Sequence, residues 1–158
     1  NIGLTEEVPQ FNLFDKSRSI LTRARILPPT KMSGTTITKS MVAEGGIIRA
    51  THIENSVIGI RARIGEGTVI KDSYIMGSTN YQTLAQIQKC VDEDRPYLGI
   101  GDRCQISMAI VDKDCHMGND VTIKGGKHLE DQEHENYVVT DGIVVIKKGA
   151  IIPNGFTI

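Results

Sequence analysis

The chain has 158 residues, a formal net charge of −1, 39% hydrophobic residues, 4% aromatic residues and no tryptophan. That balance excludes a general electrostatic attraction to nucleic acid or to anionic membranes, and no stretch reaches the ~18 apolar residues of a membrane span. The length suffices for one domain with a real core, but so few aromatics point to a narrow interior filled by Ile, Val and Met. No secretory signal opens the chain, and a first residue of Asn1 rather than Met reads as a fragment or a processed product. Cys90, Cys104 and Cys115 are an odd, sparse set, which reads as reduced thiols in a reducing compartment.

Residues 1–31 carry no short period. Phe11, Leu13, Phe14, Ile20 and Leu21 predict an extended segment that packs on another surface, and Pro28-Pro29 ends it by blocking helix. This stretch is read as a linker entering from an upstream element. A six-residue rhythm then sets in over 32–77, with Ile58-Gly59, Ile64-Gly65, Ile70 and Met76-Gly77 on the beat. Six is neither the helical period nor the alternation of a flat sheet. It is the mark of hexapeptide repeats, whose short strands wind into a solenoid with one aliphatic side chain per strand pointing inward. Val57, Val69 and Ile75 stand just before beat positions and suit strands, while Thr68 and Ser73 fall at or near corners. The 16 glycines fit tight corners.

Residues 78–98 break the rhythm. Leu84, Ile87, Gln88 and Val91 stand at helical spacing and predict a short helix in the stretch from Tyr81 to Cys90, closed by Asp92, Glu93, Asp94 and Pro96. Residues 99–124 resume the beat at Ile100-Gly101, Ile106, Val111, Met117-Gly118 and Ile123. A second excursion over 125–141 is polar and acidic from Glu130 to Glu135 and reads as a solvated loop, like Asp92-Glu93-Asp94. Residues 142–158 close the solenoid with Ile146, Ile152 and Ile158. No charged cap follows Ile158, so the last coil is expected to be covered by another subunit or domain.

Several separate motifs resemble one family. Arg25-Ile26-Leu27-Pro28-Pro29-Thr30-Lys31 looks like the linker of ADP-glucose pyrophosphorylases (glucose-1-phosphate adenylyltransferases) of the plant and cyanobacterial type. His52 to Gly59 resembles their first repeats. Asp72-Ser73-Tyr74-Ile75-Met76-Gly77, followed by Asn80-Tyr81-Gln82-Thr83, is similar to a further stretch, as are Gly99-Ile100-Gly101, Ala109 to Lys113 and Gly142 to Lys147. The motifs keep order and spacing over nearly the whole chain from about Phe11. One departure stands out: where the family carries Asn-Lys-Asp, this chain reads Lys124-Gly125-Gly126-Lys127-His128, and residues 127–137 diverge as well. The departure points to a branch away from the plant subunits, on the bacterial side.

The resemblance implies an all-β fold, a left-handed parallel β-helix over 32–158, used in the family for subunit assembly and allosteric control. Catalysis would belong to an N-terminal domain with a Gly-rich nucleotide loop and Mg²⁺-binding carboxylates. No such loop occurs here, since Gly45-Gly46 and Gly125-Gly126 lack the strand-loop-helix context of a phosphate cradle. The chain itself is therefore expected to hold no catalytic residue and no metal. The implied partners are the catalytic domain, other subunits in a tetramer, and anionic effectors, with 3-phosphoglycerate activating and phosphate inhibiting. The implied compartment is a bacterial cytoplasm or a plastid stroma. Lys113 and Lys147 match the family's effector-binding lysines, and an ammonium pairs well with phosphate or carboxylate. Lys148 lies beside Lys147, and Arg25 and Lys31 are weaker candidates in the linker.

Two other readings stay open. Hexapeptide acyltransferases share the solenoid and use a histidine as general base; His116, placed at a repeat corner, is the candidate, with His52 a poorer fit. That reading predicts a trimer that binds an acyl-CoA or acyl-carrier donor. A purely structural assembly module is the third. Cys104, Cys115 and His116 fit no zinc-ligand spacing; both cysteines are read as small packed residues, as is Cys90 on the excursion helix.

Overall fold

The computed structural model describes residues 2–18, 20 and 25–158. Among these, short strands follow one another around three sides. Sheet A stacks Lys31–Met32, Ile47–Ile48, Arg63–Ile64, Gly99–Ile100, His116–Met117 and Ile151–Ile152, all parallel. Sheet B stacks Thr36–Thr38, His52–Glu54, Val69–Lys71, Gln105–Ser107 and Thr122–Lys124. Sheet C stacks Met41–Val42, Val57–Ile58, Tyr74–Ile75, Ala109–Val111 and Ile143–Ile146. The chain visits A, B and C in turn, which makes a three-sided parallel β-helix.

Its core is three columns of aliphatic side chains in register. Sheet A contributes Ile48, Ile64, Ile100, Met117 and Ile152; sheet B contributes Ile53, Ile70, Ile106 and Ile123; sheet C contributes Ile58, Ile75, Val111 and Ile146. All are buried, and each full burial contributes about 2 kcal/mol. Column-on-column stacking leaves no room for a large ring, which accounts for the scarcity of aromatics.

The corners correct the six-residue beat. Ile75, not Met76, points inward, and the step from Ile70 is five residues, as it is from Ile53 to Ile58 and from Ile106 to Val111. The cause is a left-handed residue at each of the first four B-to-C corners: Lys39, Asn55, Asp72 and Met108 have φ of 43°, 46°, 45° and 48°. Such a residue reverses the chain in fewer steps, and Asn and Asp tolerate it best. Behind this corner runs a ladder of small hydroxyls. Ser56 N–H donates to Ser40 Oγ (3.1 Å), Ser73 N–H to Ser56 Oγ (3.2 Å) and Ala109 N–H to Ser73 Oγ (3.2 Å). At the next corner Thr68 Oγ1 likewise accepts from Cys104 N–H at 3.1 Å. Thr68 and Ser73 are thus corner residues, fully buried and satisfied.

The first excursion carries helix α1, Leu84–Asp92. It starts later than the sequence predicts because Thr83 and Gln86 form a reciprocal capping box, and it runs on past Cys90. Its buried side is Cys90 with half-buried Ile87, whereas Leu84 and Val91 of the predicted stripe are 86% and 53% exposed. Around it, Tyr81 Oη donates to Gly45 O at 2.9 Å, and Gln82 bridges Leu98 N–H and the Cys90 thiol.

The second excursion is not simply a solvated loop. Gln132–Glu133 and Tyr137–Thr140 pair antiparallel with each other and then with Ile143–Ile146, which extends sheet C to seven strands. The alternation around Tyr137, Val138 and Val139 drives this: Val139 turns inward and is buried, and Tyr137 stacks on His134 and meets Phe156 edge-on. Leu129, Tyr137, Phe156 and Ile158 pack partly buried against the core, so the last coil is covered in part from within the chain.

Near the start, the segment expected to be extended instead contains two 3-10 turns, Ile2–Thr5 and Lys16–Arg18. Asp15 initiates the second by accepting from Ser17 N–H (2.8 Å) and Ser17 Oγ (2.7 Å). Phe11, Leu13, Phe14 and Ile20 are exposed; Leu21 lies outside the described residues. Thr30 is stitched to the first coil: its Oγ1 donates to Ala43 O and accepts from Gly46 N–H.

Candidate functional site

Lys113 follows Ala109–Val111 at the corner between sheets C and A, and Lys147 follows Ile143–Ile146 at the same corner one coil on. Two backbone bonds fix the stacking: Asp112 N–H donates to Ile146 O (3.1 Å) and Gly149 N–H to Lys113 O (2.9 Å). The main chains that the sequence pairs are therefore neighbours. The ammonium groups are engaged differently. Lys147 Nζ is tied back to the second excursion, donating to Glu133 Oε1 at 2.9 Å and to His134 O at 2.7 Å. The Lys147 ammonium is the first cause that holds the Glu133 carboxyl below its ordinary value. Lys113 is exposed and makes no ion pair among the described residues.

Asp114 shares this corner, in the left-handed region at φ 62°. Its carboxylate accepts from Thr79 N–H and Thr79 Oγ1, each at 2.7 Å, which pins the start of the first excursion. Burial pushes its pKa up, but the Thr79 bonds and the charges of Lys148 and Lys113 outweigh that and leave it lowered. So the cation whose field converges with that of Lys113 on Asp114 is Lys148. Nothing in the local pattern distinguishes Lys147 from Lys148, because the choice depends on which way the hairpin draws Lys147.

The other candidates lie apart. Arg25 and Lys31 are exposed in the entry segment. His116 is on a strand of sheet A, not at a corner; its side chain is half-buried and its Nδ1 meets Pro96 O at 2.9 Å, which ties down the return limb of the first excursion. His52 sits on sheet B at 3.3 Å from Glu54 Oε2, beside Lys71 at 3.0 Å from the same oxygen. Cys104 and Cys115 are buried at corners, and burial raises both thiols, Cys115 to about 11. Their sulfurs donate to carbonyls, Cys115 to Asp112 O (3.1 Å) and Lys147 O (3.3 Å). These are inert packing thiols. Among the described residues no three His, Cys, Asp or Glu side chains gather as a metal site would require. No described helix is long and apolar enough to cross a membrane.

The corner of Lys113, Lys147 and Lys148 is shared with three carboxylates: Asp112 accepts from Lys113 N–H, Asp114 is bonded to Thr79 and Glu133 to Lys147. Lys113 and Lys148 are exposed and make no ion pair among the described residues, so theirs are the ammonium groups left open to solvent. A family model, the GLGC left-handed parallel β-helix domain, matches residues 25–157. It also supplies the hand of the coil.

Proposed function

The chain belongs to the GLGC left-handed parallel β-helix domain family, the C-terminal β-helix of ADP-glucose pyrophosphorylases, and from that premise we propose that it is the regulatory and assembly domain of a glucose-1-phosphate adenylyltransferase. The parent protein makes ADP-glucose and pyrophosphate from ATP and glucose 1-phosphate, for glycogen or starch synthesis. Residues 1–31 link this domain to a catalytic domain, where Mg²⁺ is held. The enzyme works as an oligomer in a bacterial cytoplasm or a plastid stroma.

The observation that carries the regulatory part is the stacking of Lys113 against Lys147-Lys148 on successive coils. An anionic effector such as 3-phosphoglycerate or phosphate binds there between ammonium groups held by a stiff scaffold. It shifts catalysis only by binding one arrangement of the two domains better than the other. The test is ADP-glucose synthesis by the full-length protein, with 3-phosphoglycerate titrated in and phosphate against it. Lys113→Ala and Lys147→Ala should each raise the half-activating concentration about tenfold, as loss of one charge-assisted contact does. Activation curves identical to the parent's for both variants refute the assignment. Synthesis with no effector response leaves a scaffold; no synthesis at all returns attention to His116 and an acyl donor.

A further inference from the structure

A second group of cationic side chains lies at the other end of sheet A, away from the lysine corner. The return limb of the first excursion stands off from the coils and leaves a groove of about 280 Å³. Arg49 and Arg63 come from successive coils and Arg95 from the limb; Asp94 and Asp102 are the acids in the same lining. Asp102 Oδ1 accepts from Glu66 N–H (2.7 Å) and from Arg49 Nη2 (3.4 Å), so Arg49 and Asp102 offset each other and Arg63 is the guanidinium left for a ligand. Arg95 leans on Glu93 outside the groove. Arg63 has no carboxylate partner among the described residues; its guanidinium lies 5.6 Å from the Tyr97 ring centroid, which holds the fork in place.

The floor is donor-rich for a structural reason. Asp102 N–H donates to Asn119 Oδ1 and Asn119 N–H to Asn154 Oδ1, both at 2.8 Å, so each coil is braced by the side chain of the next. Close approach needs glycine beneath: a Cβ on Gly101 or Gly118 would sit 2.6 Å from Asn119 Oδ1 or 2.4 Å from Asn154 Oδ1. With the oxygens so used, the amide NH₂ groups of Asn119 and Asn154 have no acceptor among the described residues. Asp102 shows that a carboxylate braces the ladder equally well. The amide NH₂ groups of Asn119 and Asn154 are thus donors that the bracing does not use.

We propose that this groove binds a small phosphomonoester. Guanidinium forks match phosphate oxygens bidentately, and the amide NH₂ groups reach the remaining oxygen. A groove of about 280 Å³ is of a size to take a three-carbon or sugar phosphate. Arg63 already covers one face of Tyr97, which denies a base that stacking surface. The site does not depend on the lysine corner.

Phenylglyoxal modification of the full-length protein, read by peptide mass spectrometry, tests it with glycerol 3-phosphate as probe. At a probe concentration about five times its Kd, modification of Arg63 slows about sixfold, while Arg103, paired with Asp120 on the surface, is unaffected. Protection persists in the Lys113→Ala/Lys147→Ala variant. Asn154→Asp keeps the bracing acceptor but removes the NH₂ donor and adds charge, so it raises the half-protecting concentration at least about tenfold. Unchanged Arg63 labelling, protection lost with the lysines, or full protection in Asn154→Asp each overturns the proposal.

Discussion

Ser73→Ala is the sharpest test of how the coils hold together. Ser73 is fully buried; its hydroxyl donates to Lys71 O at 2.6 Å and accepts from Ala109 N–H at 3.2 Å. Alanine removes both bonds and leaves the Ala109 amide with no acceptor in the interior, at a cost of about 1–3 kcal/mol. Ser40 makes the same pair of bonds one end of the ladder away, donating to Thr38 O at 2.8 Å and accepting from Ser56 N–H at 3.1 Å. It is only half-buried, so water can replace the hydroxyl, and Ser40→Ala should cost under about 1 kcal/mol. Hydrogen exchange in the full-length protein reads this locally. Amides of the Gln105–Val111 stretch should exchange about 5- to 150-fold faster in Ser73→Ala, since 1.4 kcal/mol is tenfold in opening. Unchanged exchange in Ser73→Ala, or an equal effect from Ser40→Ala, refutes the burial reasoning.

Glu133→Gln frees Lys147 for an anion. The pair is solvent-exposed and screened, so the half-activating effector concentration should fall only about two- to fivefold at low salt, with the difference shrinking at high ionic strength; activation curves that do not move, or a higher requirement, contradict a competing tether. The same tether has a pH signature. The Glu133 carboxyl lies below its ordinary 4.5 when folded, so its contribution is complete above that value and is lost as pH falls through the lower folded value. The Cys115 thiol, pushed by burial to about 11 from 9.0, gives the opposite sign. The unfolded chain loses that proton first, so stability is intact below pH 9.0 and declines as pH rises towards 11. A thiol reagent at pH 8 should leave Cys104 and Cys115 unmodified in the native protein and label both after denaturation; rapid native labelling argues against buried corner thiols.

Period-six patterning was enough to read a solenoid because inward positions on short strands must be aliphatic whatever lies around them. It misplaced Met76 because the contracted corner at Asp72 is a backbone event, marked only by a left-handed residue type that many sequences place elsewhere. It took residues 130–135 for solvent-facing loop because exposed hairpin strands are as polar as loops; the pairing of Tyr137 with Ile146 has no local signature. Of the candidate site, the two lysines were visible as motif matches. Their unequal engagement, with Lys147 bound to Glu133 and Lys148 acting with Lys113 on Asp114, was not.

The sequence alone therefore determined the architecture, the identity of most inward columns and the family, because those rest on repeats that recur every coil. Tertiary structure alone decided what the outer surface can do. Arg49, Arg63 and Arg95 are far apart in the chain and carry no period, yet stacking and the fold-back of one excursion bring them to one groove. The Asp102–Asn119–Asn154 brace likewise joins residues 17 and 35 positions apart. A coil of the β-helix resets the chain to the same face after each circuit, so neighbours in space are a circuit or an excursion apart in sequence, and local patterning cannot see them.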